Sequence, residues 1–238
     1  MRQRLISPLH RAVIVDWMSD VEEQLKLERS SLFAAVNTFD RFLSFTPETV
    51  PSEQLQLAAI AALWIASKIH QTEYPSSKSW VRVCDNGYTV SQICDMEKTM
   101  VTLLDFRLNP PTSWQFLMRF LHIVKPTALQ ARASQFYVEK SLTEYQCNKI
   151  RPSMLAAASL LLAIHNPSLR QRDGPGVPHK ELVSCTKGSF CLSPPQCSDC
   201  LSTEPALTSI HFLRYRGNKA MCKNNLQCLI QPETDGIR

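Results

Sequence analysis

Glycine is scarce in this chain, with six in 238 positions. Loops that cradle phosphates or dinucleotides rely on closely spaced glycines that let the backbone approach the ligand, and neither a Walker loop nor a G-x-G-x-x-G fingerprint occurs. G-x-S-x-G and H-E-x-x-H are missing too, and the six histidines keep no ligand spacing, so the expectation is a non-catalytic protein without a cofactor. The net charge of +5 comes without any Lys/Arg run of five or more, so no basic tail is present and nucleic acid is not the expected partner. Long apolar runs are lacking as well. The most apolar stretch, Leu55 to Ala66, falls short of the roughly 20 residues a membrane span needs. The opening "MRQRLISPLHRAVIVDW" is broken by Asp16 and offers no small-residue cleavage site, so it does not read as a signal peptide. A soluble intracellular protein is expected.

What the chain does have, up to about residue 166, is dense helix signalling. Ser7-Pro8 pairs an N-cap with a first-turn proline, and Val13, Trp17, Val21 and Leu25 follow as an apolar row at four-residue spacing. Ser30 is the expected cap of a second helix carrying Leu32, Phe33, Val36, Phe39 and Leu43. A third, roughly Ser52 to Ile69, is apolar on every side, which in a soluble chain means that neighbours surround it. Three T-x-x-Q capping boxes, Thr89 to Gln92, Thr112 to Gln115 and Thr127 to Gln130, each predict a helix start. Pro152 sits at a first-turn position before the apolar "SMLAAASLLLAIH".

The apolar segments "LAAIAALWIA" at Leu57 and "LAAASLLLAI" at Leu155 resemble each other in size and apolarity, which suggests a duplicated helical domain divided near residue 110. The expected organisation is a helical unit over 1–109, the first helices of a second unit over 110–168, and an irregular tail over 169–238. Six of the nine cysteines lie in that tail. Cys197-Ser-Asp-Cys200 has the C-x-x-C half of a zinc site, but Cys222 and Cys228 follow at a spacing unusual for the other half. Free cysteines are the preferred reading, with no metal assigned.

Charges inside apolar patterns are the most informative polar residues. Arg11 and Asp40 fall within the stripes of the first two helices, where an unpaired charge is very costly to bury, so each is expected to neutralise the other as a structural ion pair. Lys68 ends the most apolar helix. There a cation complements the helix dipole, and a surface ion pair adds only about 0 to 1 kcal/mol.

The segments "HRAVIVDWM", "NTFDRFLS", "LQLAAIAALWIASK", "VCDNGYTVSQICDMEK" and "DFRLNPPTSWQFLMRFL" occur in the order and near the spacing of the cyclin box. The chain resembles the A/B-type mitotic cyclins most, from residue 4 to about 166. Arg11, Asp40, Leu57, Lys68 and Glu97 occupy the five positions that define the box. The resemblance implies an all-α chain of tandem five-helix cyclin folds, the second partial or degenerate. It further implies a regulatory subunit, in nucleus and cytoplasm, that binds and activates a cyclin-dependent protein kinase in cell-cycle control. By the family pattern Lys68 and Glu97 lie together and bond the kinase, with Phe106 and Leu108 beside them. A second family site, which docks Arg-x-Leu motifs of substrates or inhibitors, maps onto Val13, Ile14, Trp17, Asp20 and Gln56.

The sequence departs from the pattern at identifiable places. Ile69, His70 and Gln71 stand where mitotic cyclins commonly carry acids, His10 replaces the usual methionine of the docking patch, and Asp20 is shorter than the usual glutamate. "RQRL" at residues 2 to 5 has the R-x-x-L form of a destruction signal, a form too short to assign. Two other readings stay open: a cyclin-fold adaptor without kinase activation, which has no need of both Lys68 and Glu97, and a zinc-dependent module built on the tail.

Overall fold

A computed structural model describes residues 6–47 and 50–166. Among these residues every regular element is helical, as the sequence pattern predicts. The described chain divides at Pro110 and Pro111 into two compact units.

The first unit holds α1 (Pro8–Leu25), α2 (Arg29–Phe45), α3 (Ser52–His70), α4 (Ser77–Val83) and α5 (Val90–Leu103). α3 is the hub, packed against α1, α2 and α5. Ala58, Ala59, Ile60, Ala61, Ala62 and Leu63 are all fully buried, so two turns of this helix have neighbours on every side. The alanines let those neighbours approach closely, and the large residues fill the gaps between helices; truncating one such Leu or Ile costs roughly 2 to 5 kcal/mol. Asp40 accepts two hydrogen bonds from Arg11, at 2.7 Å from Nε and 2.8 Å from Nη2, which ties α2 to α1.

The core face of α1 differs from the row predicted for it. Arg11, Ile14, Val15, Met18, Val21 and Glu22 are buried, whereas Val13, Trp17 and Leu25 are only half-buried. A four-residue step overshoots the 3.6-residue turn, so a row at that spacing winds obliquely around the helix and meets the core only where it crosses it, at Val21. The predicted Ser30 cap also moves. α1 closes on Lys26 in the left-handed conformation, Leu27 donates to the Glu22 carbonyl at 2.9 Å, and Glu28 is the N-cap of α2, its carboxylate making no capping bond to the helix backbone. Ser30 lies inside the first turn and donates to the Glu28 carboxylate at 3.2 Å.

The second unit holds α6 (Ser113–Val124), α7 (Ala128–Lys140), a 3-10 helix at Tyr145–Lys149 and α8 (Pro152–His165), with α8 packed on α6 and α7. α8 is apolar nearly all round but leaves Leu162 exposed among the described residues. All three T-x-x-Q capping boxes form, the Thr89, Thr112 and Thr127 amides donating to the glutamine Oε1 atoms at 2.8, 3.1 and 3.0 Å. A fourth box forms at Ser7, where His10 Nδ1 accepts from the Ser7 amide at 3.4 Å and takes the place of the usual Glu or Gln. The short α4 gives no periodicity to read; it exists to seat Trp80, which is fully buried and donates from Nε1 to the Pro75 carbonyl at 3.2 Å.

Among the described residues no helix is long and apolar enough to cross a membrane. Cys197, Cys200, Cys222 and Cys228 lie outside the described residues. Cys84 and Cys147 are buried and Cys94 is half-buried, and burial first, then Asp85, pushes the Cys84 thiol up to about 12.

Candidate functional site

Where the buried hub reaches the surface, α3 places Lys68 one turn beyond Trp64. Its ammonium sits 4.7 Å above the Trp64 ring and donates to both carboxylate oxygens of Glu97 on α5, at 2.7 and 2.9 Å. Trp64 is itself nearly buried and packs at 5.8 Å from Trp80. A stack of two tryptophans anchored in the core therefore supports the lysine, and the lysine orients the glutamate. The sequence pattern gives no hint of Trp64 as this platform, although the four-residue spacing from Trp64 to Lys68 is a contact spacing on a helix.

Next to Lys68 the chain is uncharged or half-buried. Ile69 is partly exposed, and His70 ends the helix. Burial lowers the His70 pKa below its ordinary value, and the Glu28 carboxylate acts in the opposite sense. Gln71 closes the helix, its amide donating to the Ser67 carbonyl at 3.0 Å.

The segment after α5 is built around two successive left-handed residues, Asp105 at φ 51° and Phe106 at φ 56°. Their amides donate to Thr102 and Val101 carbonyls, each at 3.1 Å, while Arg107 donates to Leu104 and Leu108 to Phe106, each at 3.0 Å. The same turn occurs after α4, where Asp85 and Asn86 have φ 50° and 59° and donate to Arg82 and Val81 carbonyls at 3.0 and 3.1 Å. There the residues suit the conformation, since Asp and Asn tolerate the left-handed region. A phenylalanine does not, at roughly 1 to 2 kcal/mol per residue. Phe106 nevertheless holds it while 77% exposed, so core packing does not explain its presence. Leu108 is half-buried. Arg41 on α2 donates from Nη1 to the Arg107 carbonyl, a link between segments 66 positions apart that no sequence pattern announces.

The residues expected in the docking patch separate by burial. Val13 and Trp17 lie half-buried one turn apart on α1, Asp20 is exposed, and Gln56 is half-buried on α3, which packs on α1. Ile14 is fully buried and belongs to the core, which corrects its assignment to a surface patch: it is one position from Val13 and points a quarter-turn or more away. His10, half-buried, serves the capping box. No cluster of His, Cys, Asp or Glu among the described residues forms a metal site.

Two all-helical units, each with an apolar hub helix, define an all-α class of fold, with an exposed ion pair on the rim of the first. The model of the cyclin N-terminal domain matches residues 1–109 and that of the cyclin C-terminal domain matches residues 111–188. The chain belongs to the cyclin family. It is 37% identical over 153 residues to Cyclin-B2-1 of Oryza sativa subsp. japonica, an overlap of 64% of this chain and 36% of the relative. It is 36% identical over 154 residues to G2/mitotic-specific cyclin-B1 of Oryzias luzonensis, 65% of this chain and 38% of the relative. The chain thus spans little more than a third of the length of these curated relatives. The X-ray structure of a viral cyclin from herpesvirus saimiri shares the fold, with a TM-score of 0.65 at 20% identity over 77% of this chain and 79% of that one.

Proposed function

We propose that the chain is the regulatory, non-catalytic subunit of a cyclin-dependent protein kinase and that it binds the kinase through Lys68, Glu97, Phe106 and Leu108. The observation that carries this reading is the Lys68–Glu97 pair. It is bidentate, braced on Trp64 and Trp80, and open to solvent, yet an ion pair of this exposure adds little to stability. Its value lies in presenting a fixed cation and a fixed carboxylate to the backbone groups of a partner. An exposed phenylalanine in a costly backbone conformation is the kind of strain that binding sites retain. The kinship with proteins named as G2/mitotic-specific and B-type cyclins supports work in cell division.

Activation follows from differential affinity. A subunit that binds the active arrangement of the kinase more tightly than the inactive one shifts the population by that difference and performs no chemistry itself. Substrates or inhibitors bearing Arg-x-Leu would dock on Val13, Trp17, Asp20 and Gln56, with Asp20 facing the arginine. The test is to mix the purified full chain with purified cyclin-dependent kinases and follow complex formation and phosphate transfer to a protein substrate. At least one kinase is expected to form a stable complex and gain activity; if none binds, the adaptor reading replaces this one.

A further inference from the structure

Phe106 poses a mechanical problem. A bulky side chain in the left-handed region tends to escape it, and any escape at φ swings an exposed ring through a wide arc. The parallel turn at Asp85 and Asn86 meets no such difficulty, because those residues accept the conformation. The turn at Asp105 and Phe106 has the same pattern of amide bonds, so those bonds do not by themselves explain how an unfavourable residue is kept there. What distinguishes it is the bond from Arg41 to the carbonyl of Arg107, the residue immediately after Phe106. Arg41 is half-buried on α2, a helix that packs against both α3 and α5. The next residue back, Asp40, is held by the fully buried Arg11. The anchoring point is therefore rigid, and a charge-assisted hydrogen bond is strong enough to oppose the strain of one left-handed bulky residue.

We propose that Arg41 is a positioning residue for partner binding: by fixing the Arg107 carbonyl it holds the strained turn closed and presents Phe106 in one orientation before the kinase arrives. This rests on the kinase-binding role proposed above for Phe106. Pre-organisation of this kind raises affinity because the partner need not bear the cost of ordering the ring.

Four variants of the full chain test it: Arg41→Met, which keeps the aliphatic stem and loses the donors, Arg41→Lys, which keeps one cationic donor, Phe106→Ala, and Arg41→Met combined with Phe106→Ala. Amide hydrogen exchange needs no kinase. Arg41→Met should speed exchange at Phe106, Arg107 and Leu108 by about tenfold, the scale of one lost charge-assisted bond, while amides of α3 keep their protection. Binding to the kinase should weaken by a similar factor, Arg41→Lys should recover part of it, and Arg41→Met should add nothing further on top of Phe106→Ala. Unchanged exchange at the three amides in both Arg41 variants overturns the clamp. Faster exchange with unaltered binding, or an equal loss in the Phe106→Ala background, overturns the positioning role. If Phe106→Ala alone leaves kinase binding intact, the kinase-facing assignment of Phe106 fails and the positioning role with it, whereas the exchange result still reports on the clamp alone.

Discussion

Two ion pairs in the first unit join partners 29 positions apart with nearly identical geometry: Arg11 to Asp40 at 2.7 and 2.8 Å, and Lys68 to Glu97 at 2.7 and 2.9 Å. Their acids are equally exposed, at 21% of the side chain, so the difference lies with the cations, 0% for Arg11 and 35% for Lys68. Distance alone therefore says nothing about what a salt bridge does. The Arg11 guanidinium has no water to return to if its partner is lost, and its planar fork matches the carboxylate in a fixed register of α1 and α2. The Lys68 ammonium can be rehydrated at small cost, so the same distances there contribute little to folding and leave both groups available to a partner. The fold uses one pair to stay closed and keeps the other open.

The comparison breaks most visibly at the buried pair. Asp40→Ala removes the carboxylate that accepts two hydrogen bonds from the fully buried Arg11 and should cost about 3 to 5 kcal/mol, enough to abolish soluble expression of a marginally stable domain. A normally folded variant, judged by circular dichroism and thermal unfolding, would remove the structural role assigned to the pair. His70 lies between the two extremes, half-buried at the end of the helix that carries Lys68. Its folded pKa is lowered, first by burial, with Glu28 opposing. The unfolded chain then takes up the proton first, so the contribution is complete above the ordinary value of 6.5 and is lost as pH falls from there through the folded pKa. Denaturant titrations between about pH 7.5 and 5 should show that slope, and His70→Gln should flatten it. An unaltered slope would show that His70 is as hydrated as an ordinary surface histidine.

How much of this was legible depended on the range of the interaction. The T-x-x-Q boxes at Thr89, Thr112 and Thr127 were readable because both partners lie within one turn. The Ser7 box was not foreseen, since histidine in the third position is outside the usual pattern. The hub character of α3 was plain from apolarity on all sides, but the same texture in α8 did not forecast the exposure of Leu162, because apolarity does not say how many neighbours are present. In α1 the row through Val13 and Trp17 led away from the core face, and Ile14, one position along, proved to be interior. The pairing of Arg11 with Asp40 followed from the cost of burying charge. The pairing of Lys68 with Glu97 followed from resemblance to the cyclin box, since nothing local couples residues on α3 and α5. Trp64 beneath Lys68 and the Arg41 bond were found only in three dimensions, as was the doubled left-handed turn, though "CDNG" and "LDFR" end their helices with the same geometry.

The central claim is that Lys68 and Glu97 serve recognition and not folding. The direct measurement sets the thermal stability of the full chain against its affinity for a cyclin-dependent kinase, in the wild type and in Lys68→Ala with Glu97→Ala. Stability should change by no more than about 1 kcal/mol, while kinase affinity should fall by roughly 30-fold or more, the loss typical of an interface hot spot. A double variant that binds and activates the kinase as the wild type does, or one that unfolds like Asp40→Ala, would contradict the account.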